Sequence, residues 1–76
     1  MVKIKSQGNI GFYVFQNDHN PPHIHVRYKK QYEARISLEG VVLTNNGFTG
    51  KQLKIFVKFI EEYQQEFLEA WNDFHL

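Results

Sequence analysis

His23-Ile24-His25-Val26-Arg27-Tyr28-Lys29-Lys30-Gln31-Tyr32-Glu33-Ala34-Arg35-Ile36-Ser37-Leu38-Glu39 alternates polar and apolar residues on both sides of the break Lys29-Lys30-Gln31. A period of two is the strand period, because successive side chains leave opposite faces. Residues opposite each other in an antiparallel pair share a face. A three-residue loop therefore sets Tyr28 against Tyr32, Val26 against Ala34 and Ile24 against Ile36 as a core strip. The same register sets Arg27 against Glu33 and His25 against Arg35, so one face is apolar and the other gathers the polar chemistry.

Working outward, Ile10 to Gln16 is aromatic and β-branched, entered after Gly8-Asn9 and left at Asn17-Asp18, and reads as the first strand. Pro21 and Pro22 fix φ at consecutive positions and make a stiff extended corner ahead of His23. Gly40 opens a turn into a short strand, Val41 to Thr44, which Asn45-Asn46-Gly47 ends. Thr49 with Gln52 forms a capping-box pattern. Leu53, Phe56, Ile60, Tyr63, Phe67, Ala70 and Phe74 then recur at helical spacing, a stripe that belongs to a core. The expectation is an α+β fold: a four-stranded antiparallel sheet followed by one long C-terminal helix. Twenty-five helical residues run ~37 Å and a strand of six or seven only ~20–23 Å, so that helix overshoots the sheet or breaks. Val57, Phe59, Leu68 and Trp71 lie off the main stripe, which points to a homodimer or a partner covering the C-terminal half. Trp71 reads as an anchor in a core or interface, and His75 as a frayed terminal residue.

At 76 residues the chain reads as one small domain, in the size range that buries only about 60% of its unfolded surface on folding. It has no cysteine, so neither disulfides nor thiolate metal sites are available, which suits a reducing, cytoplasmic setting. Neither an export signal nor a membrane span is indicated. A net charge of +1 is too balanced for composition alone to announce a nucleic-acid binder. The distribution is less even. All nine basic residues fall between Lys3 and Lys58, with only Asp18, Glu33 and Glu39 opposing them; Glu61, Glu62, Glu66, Glu69 and Asp73 follow with no Lys or Arg.

Three readings fit the polar residues. His23 and His25 share a strand face, and with Asp18 or His19 they form the kind of nitrogen and oxygen set that holds a divalent metal such as zinc. Without a metal, the two imidazoles could act as acid and base on an RNA 2′-hydroxyl and its leaving oxygen, with Arg27 and Arg35 on the phosphate and Glu33 aiming Arg27. In the third, Asp18 and Asn20 cap a turn, the histidines sit on a solvated face, and Arg27–Glu33 is an ordinary cross-strand pair. The chain is then a non-catalytic binding module or an antitoxin-like regulator whose helix docks a partner.

The run Asn17-Asp18-His19-Asn20-Pro21-Pro22-His23-Ile24-His25-Val26-Arg27-Tyr28, with Tyr32-Glu33-Ala34 and Glu66-Phe67-Leu68-Glu69-Ala70-Trp71, resembles the bacterial domain-of-unknown-function family 4160. The signature matches at Asp18, His19, Pro21, Pro22, His23 and His25, and at Glu33, Ala34 and Trp71. The resemblance implies the toxin-side component of a toxin–antitoxin module, partnered by a small protein of domain-of-unknown-function family 2442 from an adjacent gene. It nominates the matched positions and brings no agreed catalytic residues. The hairpin tip departs from the family, carrying Lys29-Lys30-Gln31 where glycine is common.

Overall fold

The computed structural model describes residues 2–15 and 19–75. Its elements run β1 (Val2–Gln7), β2 (Ile10–Val14), β3 (His23–Tyr28), β4 (Tyr32–Ser37), β5 (Val42–Asn46), α1 (Gly50–Glu62) and α2 (Gln64–His75). The sheet is an antiparallel meander in sequence order, so each strand pairs with its chain neighbour. The β3–β4 register is the one the alternation requires, from Tyr28 opposite Tyr32 through to Ile24 opposite Ile36. At the tip, Lys29 adopts φ 52° and Gln31 N–H donates to the Tyr28 carbonyl at 3.2 Å. A lysine thus holds the left-handed conformation that glycine fits best.

Two expectations are corrected. The sheet has five strands and not four, because Val2–Gln7 pairs with β2 across the two-residue loop Gly8-Asn9, where Gly8 has φ 59°. A two-residue loop with glycine first and left-handed is a hairpin connection. Val2 and Ile4 give the strand too little apolar content to announce itself.

The helix is the second correction: it is two helices and not one. α1 starts on the full Thr49–Gln52 capping box and ends at Tyr63, whose φ −110° and ψ 29° leave the helical region. No Gly or Pro forces the break; tertiary contacts on both sides hold it. Lys5 Nζ lies 4.3 Å from the Tyr63 ring centre and pairs with Glu66 at 2.7 Å, while Gln64 Nε2 donates to the Leu38 carbonyl at 2.7 Å. Thirteen residues of α1 span ~20 Å, the length of a six-residue strand, so the chain turns where the sheet runs out.

Both helices cover one face. Phe12, Val14, Ile24, Val26, Ala34 and Ile36 meet Phe56, Ile60, Phe67 and Trp71 in a single core. Phe12 is its hub, stacked on Phe59 at 4.6 Å and edge-on to Phe56 at 6.1 Å. Trp71 is buried, and Val57, Phe59 and Leu68 pack half-buried against the core. The apolar surplus behind the expected dimer through the C-terminal helix is therefore taken up within the chain. Exposed apolar side chains cluster on and beside the edge strand β5, at Val41, Val42 and Leu43, with others at Val2 on β1, Tyr32 on β4 and Ile55 on α1. Among the described residues no helix is long and apolar enough to cross a membrane.

Candidate functional site

The face of the sheet opposite the helices carries the polar residues in cross-strand rows. Lys3, Tyr13, His25, Arg35 and Thr44 are consecutive partners across all five strands, and Ser6, Gly11, Arg27, Glu33 and Asn46 form the next row. His25 sits at the centre of the first row and Arg27 at the centre of the second.

Neither histidine is solvated, contrary to one expectation: His23 is 5% exposed and His25 7%. Phe15 stacks on the His25 ring at 4.0 Å. Beneath that lid His25 Nδ1 lies 3.3 Å from Glu33 Oε1. A carboxylate accepts, so Nδ1 donates. His23 is fixed the same way, its Nδ1 donating to the Pro21 carbonyl at 2.9 Å. The proline corner, with Asn20–Pro21 in cis, thus supplies the acceptor that orients His23.

Glu33 serves two partners. Its Oε1 is 3.3 Å from His25 and 3.6 Å from Arg27 Nε, so the carboxylate that was expected to aim Arg27 holds the imidazole more closely. Arg35 donates from Nε to Thr44 Oγ1 at 3.1 Å. It lines two adjoining grooves. One, of about 410 Å³, is walled by His25, Glu33, Arg35, Thr44, Asn45 and Asn46. The other, of about 250 Å³, is walled by His19, Asn20, Pro21, His23, Arg35, Leu43 and Thr44. The structure therefore brings His19, His23, His25, Glu33 and Arg35 to one region, with Arg27 behind Glu33. Asp18 lies outside the described residues.

Among the described residues no group of three His, Asp or Glu side chains comes together to hold a metal. Nδ1 engagement by a carbonyl or carboxylate is the arrangement that steadies metal-bound imidazoles. Two such rings supply two of the three ligands of a catalytic zinc site, and among the described residues no third joins them.

A file of rings connects this region to α2. Centroid separations run 4.0 Å from Phe15 to His25, 5.2 Å to His23, 5.4 Å to Trp71 and 3.8 Å to His75. Trp71 therefore touches the histidine corner as well as the core. His75, expected to fray, lies flat on Trp71 and donates from Nδ1 to its carbonyl at 2.8 Å. Sequence reasoning missed Phe15 and Tyr13 as site residues. Extending the hairpin register by one strand finds them, since Tyr13 pairs with His25 and Phe15 follows on the same face.

Fold and face together define a small α+β domain whose polar sheet surface is built around a carboxylate-held histidine. Residues 9–72 match the family described as domain of unknown function (DUF4160), and the chain belongs to that family. Comparison with curated proteins and with solved structures returns no match.

Proposed function

We propose that this chain is the toxin-side member of a bacterial toxin–antitoxin pair, acting on RNA or another phosphoester at its polar sheet face. The observation that carries the reading is His25, with Nδ1 held on Glu33 and Arg35 beside it in one groove open to solvent. A carboxylate on Nδ1 fixes the tautomer whose Nε2 takes a proton and stabilises the imidazolium that results. On RNA, His25 would take the 2′-hydroxyl proton as that oxygen bonds to phosphorus and the phosphorus–O5′ bond breaks. A second imidazole, His19 in the adjoining groove that Arg35 also lines, would protonate the departing oxygen. The guanidinium of Arg35 suits the two free phosphate oxygens between them. The partner is a small protein from an adjacent gene, of domain-of-unknown-function family 2442, as the family resemblance implies. The exposed edge at Val41, Val42 and Leu43 is open to it.

One observation favours a second reading, in which the chain is a binding module and the histidines are structural. His23 and His25 are buried in the ring file that ends on Trp71. The test is growth after induction of the intact chain, His25→Ala and Arg35→Ala at equal abundance, with far-UV circular dichroism on each. Arrest by the intact chain alone supports the phosphoester reading. Arrest by a folded His25→Ala removes it. If no version arrests growth and His25→Ala mainly lowers stability and shifts Trp71 emission, the binding reading takes its place.

A further inference from the structure

The open sheet face holds a second basin, of about 330 Å³, walled by Lys3, Ser6, Gly8, Asn9, Ile10, Gly11, Tyr13, Arg27 and Lys29. Its charged members, Lys3, Arg27 and Lys29, are all basic, whereas the histidine groove beside it mixes Arg35 with Glu33. Tyr13 lies across its floor. A Cβ at Gly11 would fall 2.6 to 2.8 Å from the Tyr13 ring, so the ring occupies the place a side chain at position 11 would fill. Tyr13 is also the direct cross-strand partner of both Lys3 and His25. The basin and the histidine groove thus lie along one row. From Lys3 to Thr44 that row crosses four strand gaps, ~19 Å, long enough for several nucleotides.

We infer that this face is a track for a single-stranded nucleic acid, with backbone phosphates at Lys3, Arg27 and Lys29 and an unpaired base on Tyr13. Basic side chains that follow a backbone, together with an aromatic ring on which a base stacks, bind single strands without sequence preference. The inference deepens the phosphoester reading and rests on it for the choice of substrate. It adds a site that holds the strand beside the reacting phosphate.

The experiment is fluorescence anisotropy with a short single-stranded RNA whose 2′-oxygens are methylated, so that it cannot be cleaved. Lys3→Ala/Lys29→Ala is compared with Lys51→Ala/Lys58→Ala, which removes the same charge from α1. The first double variant is expected to bind roughly tenfold more weakly and to lower the salt slope by about 1.4, the loss of two phosphate contacts on a single strand. Tyr13→Ala is expected to weaken binding by roughly tenfold through lost stacking. The α1 variant should stay within about twofold of the parent. Equal weakening by both double variants, equal affinity for a duplex of the same sequence, or no binding by the parent at low salt would overturn the inference. Unmodified RNA separates the two readings. Binding that depends on Lys3 and Lys29 without any cleavage leaves the track standing and removes the reaction. Cleavage with a KM unchanged in Lys3→Ala/Lys29→Ala does the reverse.

Discussion

The two faces of the sheet use aromatic rings for opposite ends. On the helix-covered face, Phe12, Phe56, Phe59 and Phe67 meet at centroid distances of 4.6 to 6.4 Å and exclude water. On the open face, Phe15 and Tyr13 lie over a histidine and a glycine, leaving Arg, Lys and Glu within reach of a ligand. The first face repays the entropy of folding through buried area. The second buries two imidazoles, which costs stability unless each is hydrogen-bonded. Each is. A small domain with one core keeps such groups more readily when they serve function or hold a corner than when they merely fill space.

Substitutions can break this comparison. Phe67, with no exposed surface and rings on two sides, should show the largest loss; Phe67→Ala is expected to cost about 3–5 kcal/mol in urea unfolding. A loss below about 1 kcal/mol would mean that α2 does not close this core. Next comes the hairpin tip. Lys29→Gly relieves a left-handed lysine and is expected to raise stability by up to about 1 kcal/mol while weakening single-strand binding. Opposite signs from one substitution would sharpen the contrast between a face tuned for stability and one tuned for binding. If stability and binding fall together, the turn geometry described above is wrong. The smallest effect belongs to the Lys5–Glu66 pair at the sheet edge. With the Glu66 side chain 56% exposed, solvent screening limits Glu66→Gln to about 0.5 kcal/mol, read from the unfolding midpoint.

The α+β class, the β3–β4 register, the capping box at Thr49 and the signature His23-x-His25 were legible in the sequence. All of these rest on local alternation, short loops or contiguous motifs. Less was legible about the site. The residues that cluster at Arg35 were nominated, but Phe15 was not, because its role depends on which strand lies beside β3. The partner of Glu33 was assigned to Arg27 from register alone. The structure turns that carboxylate more closely toward His25, a choice made by side-chain rotamers that register does not specify.

By itself the sequence determined that alternating segments would pair as neighbours and that a capped amphipathic segment would cover the apolar face. Period and turn chemistry act within a few residues, so both are written locally. Only tertiary structure decided that Val2–Gln7 joins the sheet and that the helix breaks at Tyr63. A weakly apolar strand gains its stability from the neighbour it pairs with, and a helix without Gly or Pro turns only when distant groups hold it. Here those groups are Lys5 and the Leu38 carbonyl, far from residue 63 in the chain and adjacent to it in the fold. The burial of His23 against Trp71 was decided at the same level, by the direction α2 takes after the break.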